Sequence, residues 1–363
     1  MIASLSVENF RGIKSGKIKG LTNVNVFIGA NGAGKSTLLE AIYLASAWAE
    51  SRDKIRYNTT KFDVVVERRT QRGDWNNFRK FLWYGIDTSK NINISLNFKS
   101  GKEMEFKIPY EVHGYSISTD KMIFLKINSD RYMNSESYEI NDKNVVRNIL
   151  LQEMQEIYKT YFEEIKFLKE VNLIDGMIYY NLELIERNIL PAVYGKRLDR
   201  KLVEFLREGY EPDADLFTYI PITQSAYALM VGLSKTAVRI DDLGDGARTS
   251  LAIASILLTM ENSAALIEDP EVHQHPAGLE KLLKCMLEVA KSNNIQLFMT
   301  TQSLDLMRIL LSFYPPNCKI FALKRSPDGI LEYREFTLDE IEDLFESKID
   351  IRKITEELWL EAR

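Results

Sequence analysis

The sequence predicts an α/β fold built around a glycine-rich loop that lies between a strand and a helix. Val24, Val26 and Ile28 form a strand-like run that enters the loop "GANGAGKST" at 29–37, and the residues from Ser36 onward favour a helix. From residue 216 onward, strand-like and helical stretches alternate again, and "AALIEDP" and "IQLFMTTQS" read as buried strands that end in polar loops. Alternation of this kind is typical of α/β domains.

Composition restricts the class of protein. The chain has 363 residues, of which 45% are hydrophobic and 27% charged, as in ordinary soluble globular proteins. The longest apolar runs are shorter than the roughly 18–20 residues that span a bilayer, and the N-terminus lacks the pattern of a signal peptide. The two cysteines, Cys285 and Cys318, are far apart, which favours a reduced, cytoplasmic protein. A net charge of −5 argues against a uniformly basic surface but leaves room for a local basic patch.

Two kinds of sequence pattern divide the chain into segments. Residues 1–49 and 216–363 carry the alternating strands and helices and are predicted to form one discontinuous core. Residues 50–215 are predicted to form an inserted α+β lobe. This lobe is not expected to be a coiled-coil arm, because no long heptad run occurs in it.

Within and beyond the lobe, several elements can be predicted. Strict alternation over 92–98 and again over 104–108 predicts a β-hairpin with one apolar face. A helical period from Asn141 to Glu170 predicts a long helix, and further helices are expected around 178–190 and 196–208. "KIFALKRSPDGILEYREF" predicts a closing hairpin. Thr337 and Glu340 have the spacing of a capping box before a C-terminal helix.

The loop at 29–37 satisfies the pattern G-x-x-x-x-G-K-[S/T] between a strand and a helix. Its glycines let successive N–H groups point inward at phosphate oxygens, and the helix N-terminus adds partial positive charge. Lys35 is predicted to reach the β- and γ-phosphates, and the Ser36 hydroxyl to bind Mg²⁺. The loop therefore predicts binding of ATP or GTP. The nucleotide-binding residues predicted here are Gly29, Ala30, Asn31, Gly32, Ala33, Gly34, Lys35, Ser36 and Thr37.

A second candidate lies in "ALIEDPEVHQHP" at 265–276. An enzyme with such a loop needs an acidic strand end beside it, so Glu268 is predicted to stabilise Mg²⁺ and Asp269 to orient or deprotonate the attacking water. A strand end with solvated acids is the alternative. A transition-metal site at His273 and His275 is a weaker alternative, because no third ligand stands at recognisable spacing. We interpret the histidines as part of a loop at a subunit interface.

With these motifs placed, the chain resembles the ABC-type ATPase heads of the SMC and RecF group, and within it the OLD (overcoming lysogenization defect) family. "VENFRGIKSGKIKGLTNVNVFIGANGAGKSTLLEAI" resembles the family's opening, and Arg11 falls where these heads carry an arginine close to the nucleotide phosphates. "LGDGARTSLAIASIL" at 243–257 stands where an ABC signature would lie. "LIEDPEVHQHP" resembles the family's acidic strand and loop, and "FMTTQS" at 298–303 resembles its switch strand, which usually ends T-T-H-S.

The resemblance implies a P-loop NTPase of the ABC-type ATPase head, with ATP and Mg²⁺ as ligands. It implies catalytic roles for Glu268, Asp269 and Gln302. It also implies a homodimer in which ATP is sandwiched between two heads, each signature facing the other subunit's γ-phosphate. The signature residues that would act in trans are Leu243, Gly244, Asp245, Gly246, Ala247 and Arg248.

The chain departs from the family pattern at several positions. Gly244 replaces the signature serine, and Asp245 replaces a glycine. The carboxylate of Asp245 would require Mg²⁺ or an arginine such as Arg248 nearby. Asp269 is one methylene shorter than the usual glutamate, and Gln302 replaces the switch histidine and cannot carry a proton charge. Slow hydrolysis is therefore expected. Too few residues follow the switch strand for a Toprim nuclease domain, so no nuclease activity is expected.

Basic residues are concentrated in 52–80, where nine lysines and arginines accompany four acids, with Trp75 and Phe78 between them. The segment predicts a DNA-contacting patch, with a solvated surface as the alternative. Its basic residues are Arg52, Lys54, Arg56, Lys61, Arg68, Arg69, Arg72, Arg79 and Lys80.

Three function classes remain open at this point. The first is an ATP-switched clamp in DNA maintenance or phage defence, acting with a separate effector subunit. The second is a nucleotide-sensing scaffold with negligible hydrolysis. The third, a transporter ATPase subunit, is disfavoured because the separation between Lys35 and the signature is longer than transporter heads need.

Overall fold

The computed structural model describes residues 1–68, 75–110, 124–126, 132–134, 155–221, 223 and 227–353. Seventeen strands lie in these ranges. They are β1 (Ile2–Phe10), β2 (Ile13–Ile18), β3 (Val24–Ile28), β4 (Arg52–Asp53), β5 (Thr59–Thr60), β6 (Ile92–Phe98), β7 (Glu103–Ile108), β8 (Phe124–Lys126), β9 (Tyr132–Asn134), β10 (Asn172–Ile174), β11 (Leu216–Pro221), β12 (Tyr227–Gly232), β13 (Ala237–Arg239), β14 (Ala264–Glu268), β15 (Gln296–Thr301), β16 (Cys318–Arg325) and β17 (Ile330–Phe336).

Helices connect these strands. They are α1 (Lys35–Ser46), α2 (Lys61–Glu67), α3 (Trp75–Phe78), α4 (Phe162–Lys169), α5 (Gly176–Tyr179), α6 (Leu182–Asn188), α7 (Leu190–Gly195), α8 (Asp199–Gly209), α9 (Asp245–Thr259), α10 (Pro276–Ser292), α11 (Leu304–Phe313) and α12 (Leu338–Glu346). Short 3-10 helices cover Arg79–Leu82, Tyr84–Ile86 and Ile240–Asp242. Among the helices in the described ranges, none combines the length and apolar composition that crossing a bilayer requires.

Twelve strands form one sheet in the order β10-β14-β15-β3-β16-β17-β2-β1-β6-β7-β8-β9. The first five are parallel to one another. β17 pairs antiparallel with β16 and parallel with β2. From β2 to β9, each strand pairs antiparallel with the next. A three-stranded sheet, β11-β12-β13, and the pair β4-β5 stand apart from it. The α/β fold predicted from the sequence is confirmed.

The parallel strands are buried on both faces, which explains why they read as continuous apolar runs. Val26 and Ile28 of β3 pack in one apolar cluster with α9 and α10, whereas Phe27 points into a second cluster with α1. Alternate residues therefore serve opposite faces of the sheet. The helix α1, which follows the glycine-rich loop, is thereby fixed against β3 from one side.

Most predicted local elements are confirmed. The β6-β7 hairpin pairs Ile94 with Phe106, and the β16-β17 hairpin closes the core as expected. Thr337 and Glu340 form the capping box of α12. The long helix predicted to Glu170 is interrupted: residues 155–160 are helical, Tyr161 is a turn, and α4 follows. The part of that prediction over 141–154 lies outside the described residues.

Residues 50–215 contribute strands to the main sheet. β6 pairs with β1 in the antiparallel part, and β10 pairs in parallel with β14 at the other end. The helices α5–α8 contact α9 and bury their apolar side chains in the same cluster as β3 and β14. The predicted boundaries at 49/50 and 215/216 thus run through a continuous sheet and core, and the division into domains stays a prediction.

A buried arginine, Arg68, forms ion pairs with residues of α1, of β14 and of the segment after β10. Arg68 follows α2, and its guanidinium donates through Nη1 to Glu40 Oε1 of α1 at 2.5 Å, through Nε to Asp175 Oδ2 at 2.7 Å, and through Nη2 to Glu268 Oε2 at the end of β14. The Arg68 and Asp175 side chains are 4% and 2% exposed. Charge-assisted bonds of this kind are strong, and leaving one partner alone in the interior is costly.

A second arginine extends this cluster. Arg56 donates from Nη2 to Asp175 Oδ1 at 2.8 Å and from Nη1 to Asp53 Oδ2 at 2.7 Å, and Tyr43 of α1 donates its hydroxyl to Asp53. Asp175 therefore accepts from both arginines and joins the two halves. We call Glu40, Asp53, Arg56, Arg68, Asp175 and Glu268 the buried ionic network.

The basic patch expected over 52–80 is contradicted at three of its members. Arg56 is buried in the ionic network, the Arg68 side chain is 4% exposed there, and Lys61 is buried with its ammonium donating to Ser46 Oγ at 2.7 Å. Burial lowers the pKa of Lys61 to about 8. The prediction was wrong there because the two arginines pair with carboxylates of the ionic network and the Lys61 ammonium bonds to a buried hydroxyl, so none of the three cations lies at the surface. Arg52, Lys54 and Lys80 are exposed, and Arg69 and Arg72 lie outside the described residues.

We predict that Asp175→Asn lowers the free energy of unfolding by about 3 kcal/mol, because it leaves two buried guanidinium groups with weakened partners. Glu170→Gln is the matched control: Glu170 pairs with Lys54 at the surface, and the pair is roughly half exposed on both sides, so its loss is expected to cost less than about 1 kcal/mol. Urea unfolding at pH 7 measures both. Equal costs for the two variants would contradict the assigned role of Asp175.

The stabilisation by Asp175 should disappear in acid. Burial alone would raise the pKa of Asp175, but Arg56 and Arg68 lower it to about 2, below the value of about 3.9 for an unfolded aspartate. A depressed folded-state pKa contributes stability that is complete above the unfolded value and is lost as the pH falls through the folded value. The difference between wild type and Asp175→Asn is therefore expected to be constant from pH 7 to pH 5 and to shrink between about pH 4 and pH 2. A difference that stays unchanged at pH 3 would contradict this.

Candidate nucleotide-binding site

The glycine-rich loop has the conformation that its sequence predicts. β3 ends at Ile28 and α1 begins at Lys35, so the loop occupies 29–34. Gly29, Gly32 and Gly34 have φ of 154°, 81° and 102°, a region where residues with a side chain are strained. A Cβ on Gly29 would also lie 2.5 Å from the Leu323 carbonyl oxygen. These glycines are thus required for the cradle, and the backbone geometry fits a phosphate-binding loop.

Lys35 lies inside this loop. Its ammonium donates to the carbonyl oxygens of Gly29 at 2.7 Å and Ala30 at 3.2 Å, and the residue is buried. Burial lowers the pKa of Lys35, while the carboxylates of Asp269, Glu271 and Glu268 oppose this shift. The cation of the loop and the acids that follow β14 therefore belong to one electrostatic site.

Sheet topology explains this convergence. β14, β15 and β3 run in parallel, so their carboxyl ends reach the same edge, with Glu268 opposite Thr300 and Thr301 opposite Ile28. The sequence interpretation placed the acidic strand directly beside β3, and this was wrong: β15 lies between them. The end of β15 is consequently next to the end of β3, where the loop begins. The acids at the end of β14 are one strand further from the loop.

Asp269 is held in a restricted geometry. Its φ is 47°, in the left-handed region, where aspartate is one of the few enriched residues with a side chain. Its amide donates to the Thr300 carbonyl at 3.2 Å, and the Thr300 hydroxyl donates to Oδ1 at 2.9 Å. Burial raises the pKa of Asp269, the Thr300 hydrogen bond opposes this, and Glu268 adds to it. A fixed carboxylate with a raised pKa suits a general base.

Gln302 connects the switch strand to the loop. It follows β15 directly, and its Nε2 donates to the Asn31 side-chain oxygen at 2.7 Å. The residue predicted to replace the switch histidine is therefore in contact with the glycine-rich loop. Its amide offers hydrogen bonds there but no titratable proton.

Glu271 is a site residue that the sequence interpretation did not assign. Its Oε1 accepts from the Thr301 hydroxyl at 2.6 Å and from the Gln302 amide at 3.2 Å. Its buried Oε2 has no hydrogen-bond partner among the described residues. Burial raises the pKa of Glu271. The third acid in "EDPE" was the sequence signal that could have identified Glu271. By accepting from the Gln302 amide, Glu271 holds the backbone of Gln302 in place.

Arg11 and Glu268 bond to the protein's own groups. Arg11 donates from Nε to Glu40 of α1 and from Nη2 to the Val65 carbonyl at 2.6 Å. Glu268 accepts from Arg68. The contact of Arg11 with nucleotide phosphates, and the Mg²⁺ roles of Ser36 and Glu268, stay predictions. The buried ionic network thus reaches the edge of the sheet at which the loop ends.

The signature residues lie at the start of α9. Asp245 is paired with Arg248 at 3.3 Å, so the acid that replaces a signature glycine has the nearby arginine that it requires. Gly246 accepts through its carbonyl from Gln274 Nε2 at 2.9 Å, and a Cβ on Gly246 would lie 2.9 Å from the His273 carbonyl oxygen. The signature loop and the loop after β14 are therefore packed against each other in one chain.

The histidines of that loop have structural partners. His273 Nε2 is 2.8 Å from the Tyr180 hydroxyl, and His275 Nδ1 accepts from the Ala277 amide at 3.3 Å as the N-cap of α10. Within the described ranges, no group of three or more His, Cys, Asp or Glu side chains is arranged to hold a metal ion.

Comparison with known proteins gives the family. Residues 24–308 match the family described as "AAA domain, putative AbiEii toxin, Type IV TA system". A Helicobacter pylori protein named "ATP/GTP phosphatase" is 22% identical over 376 residues, covering 96% of this chain and 99% of the relative. A Cytophaga hutchinsonii protein named "DNA replication and repair protein RecF" is 24% identical over 244 residues, covering 63% of this chain and 56% of the relative.

Solved structures share the fold. An SMC head bound to the C-winged helix domain of ScpA has a TM-score of 0.54 at 12% identity, covering 94% of this chain and 99% of that chain. An SMC head from Pyrococcus furiosus, bound to the C-terminal domain of ScpA, has a TM-score of 0.51 at 13% identity, covering 96% and 99%.

These likenesses confirm the expected P-loop NTPase fold of the SMC/RecF kind, whereas the closer resemblance to the OLD family stays a prediction. Because the match extends over most of the 363 residues, the chain belongs to the AAA-domain family described as putative AbiEii toxins of type IV TA systems.

Proposed function

We propose that this protein binds ATP with Mg²⁺ and hydrolyses it to ADP and phosphate. The observation that carries the proposal is the parallel pairing of β14, β15 and β3, which brings Glu268 and Asp269 to the sheet edge where Lys35 lies in the loop. The charge of these carboxylates opposes the lowering of the Lys35 pKa by burial. A phosphate cradle and acids on the neighbouring strands are the parts that phosphoryl transfer to water requires. The name "ATP/GTP phosphatase" of the Helicobacter pylori relative supports the same reaction class.

In this reaction the loop amides and Lys35 hold the β- and γ-phosphates. Ser36 and Glu268 would hold Mg²⁺, which would supply positive charge against the phosphate oxygens when bound. Asp269 takes a proton from the attacking water as the water oxygen bonds to the γ-phosphorus and the bond to the β-phosphate oxygen breaks. Gln302, already in contact with Asn31, donates a hydrogen bond at the γ-phosphate end.

A nucleotide-sensing scaffold with negligible hydrolysis is the second candidate. It is favoured by Gln302, which carries no titratable proton, and by Glu268, which is held by Arg68. Such a protein would regulate a separate effector through its nucleotide state. The two candidates differ only in turnover.

The nucleotide is further proposed to join two copies head to tail, with the signature of each copy facing the γ-phosphate of the other. Gly244 and Asp245 are exposed at the N-terminus of α9, an end that carries partial positive charge. ATP would then act as a switch for a clamp in DNA maintenance or phage defence. Segment 52–80 no longer supports DNA binding as a whole, because Arg56, Lys61 and Arg68 are buried.

Asp269→Asn is predicted to lower the ATP hydrolysis rate about 100-fold or more, because the amide accepts no proton, and to leave ATP affinity within a few-fold of wild type. Single-turnover hydrolysis of radiolabelled ATP and equilibrium binding of the same ATP measure the two effects. Glu170→Gln, an acid-to-amide change at an exposed surface pair, is the control and is expected to hydrolyse at the wild-type rate.

Two outcomes would count against the hydrolysis proposal. Hydrolysis by Asp269→Asn at the wild-type rate would remove Asp269 from the chemistry. Wild-type turnover no higher than that of a Lys35→Met variant, with ATP still bound, would favour the sensing scaffold.

ATP-dependent association is expected in Asp269→Asn, measured as a doubling of mass by light scattering when ATP and Mg²⁺ are added. Adding Gly244→Leu to this variant should abolish the doubling, because a side chain there meets nothing within 4 Å in the monomer and would clash only with a partner. Gly195→Leu, which also meets nothing within 4 Å, is the control and should still dimerise. Dimerisation that survives Gly244→Leu would contradict the signature-in-trans interface.

A further inference from the structure

The two sides of β3 differ in the part of a bound nucleotide that they would face. On one side of β3, the strands β15 and β14 carry the acids and Gln302, which act on the terminal phosphate in the proposed reaction. On the other side lies β16, beyond which the strands β17, β2 and β1 follow. A triphosphate held with its γ-phosphate toward the acids therefore extends its nucleoside toward β16 and the β1-β2 turn.

An arginine stands at this nucleoside side. Arg325 is the last residue of β16, which runs parallel to β3 with Ala322 opposite Ile28. The three residues after Ala322 thus extend past the end of β3 to the height of the loop. The Arg325 side chain reaches the turn between β1 and β2, where Nη1 donates to the Gly12 carbonyl at 2.9 Å.

The same guanidinium approaches the phosphate loop. Its Nη2 lies 3.8 Å from the position that a Cβ on Gly32 would occupy, and a Cβ on Gly12 would lie only 2.0 Å from Nη1. Gly12 therefore leaves the space that the guanidinium fills at the β1-β2 turn, and the guanidinium lies within van der Waals reach of the loop at Gly32. Lys35, in contrast, lies within the loop and bonds to its carbonyls. Arg325 is placed beside the phosphate cradle, whereas Lys35 is inside it.

Arg325 retains donors and an exposed face for a ligand. The residue is exposed, and no carboxylate of the described ranges lies within salt-bridge distance of it. The bond to Gly12 uses one of the five N–H groups of a guanidinium. A planar guanidinium can stack on an aromatic ring, and cation–π attraction stabilises this contact. A purine base leaving the cradle on this side presents such a ring.

We propose that Arg325 is a further nucleotide-binding residue, whose guanidinium contacts the base of the bound purine nucleotide at the mouth of the phosphate loop. This inference rests on the proposed nucleotide binding and adds the part of the ligand that the loop motif does not recognise. Gly12 acts with Arg325, because its missing side chain and its carbonyl fix the guanidinium in place.

The test compares ATP with inorganic tripolyphosphate, which has the phosphates and lacks the nucleoside. Arg325→Met is expected to weaken ATP binding about 5- to 30-fold, the factor that corresponds to about 1–2 kcal/mol for a cation–π contact. Its affinity for tripolyphosphate should change less than about 2-fold, because tripolyphosphate has no base for the guanidinium to contact. Arg187→Met is the matched control, since Arg187 is an exposed arginine of α6 that pairs with Glu183, and both ligands should bind to it as to wild type.

Gly12→Ala provides a second variant that keeps the charge. The added Cβ would overlap the flexible end of Arg325 and displace the guanidinium, so the same selective loss of ATP affinity is expected. Arg325→Lys tests the plane of the group: ATP affinity should stay reduced, because an ammonium does not stack as a guanidinium does.

The possible results separate this inference from the proposed function. Equal weakening of ATP and tripolyphosphate in Arg325→Met, or full ATP affinity in Arg325→Lys, would show a contact by charge with phosphate and would overturn the inference. Unchanged ATP affinity in Arg325→Met would overturn it as well. A wild-type protein that binds neither ligand would instead contradict the proposed nucleotide binding itself.

Discussion

The arrangement of the site depends on one buried guanidinium. Arg68 bonds to Glu40 in the helix after the phosphate loop, to Asp175 after the edge strand β10, and to Glu268 at the end of the acidic strand. Three elements that meet at one sheet edge are thereby held by a single cation. A buried cation is tolerated only with such partners, so the relative position of the loop helix and the acidic strand follows from the same interaction that keeps Arg68 in the interior.

This constraint joins the fold to the chemistry. Parallel pairing of β14, β15 and β3 brings Asp269, Gln302 and the loop together, and the Arg68 contacts fix the carboxylate next to them. The left-handed backbone at Asp269 favours a short polar side chain, which gives a physical reason for an aspartate where the resemblance to SMC and RecF heads predicts a glutamate. The departure from the family pattern is thus accommodated by local geometry, with Thr300 holding the shorter carboxylate.

The phosphate loop, the acidic strand and the two hairpins were predictable from the sequence, because each depends on neighbouring residues and a period of two or 3.6. The fate of the cations in 52–68 was not predictable. Arg68 is 28, 107 and 200 residues from its three partners, and no local pattern signals such pairings. The same holds for Arg325, which lies 313 residues from Gly12 in the chain, and for the position of β15 between β3 and β14. Long-range register, rather than local propensity, decides these features.

We infer that the loop and the acids at this sheet edge form a site for Mg²⁺ and ATP. Calorimetric titration with ATP measures this binding, with and without Mg²⁺, on wild type and on Lys35→Met. We expect one ATP to bind per chain, binding to be tighter when Mg²⁺ is present, and binding to be lost in Lys35→Met. Binding that is absent in wild type, or that Lys35→Met leaves unchanged, would contradict it.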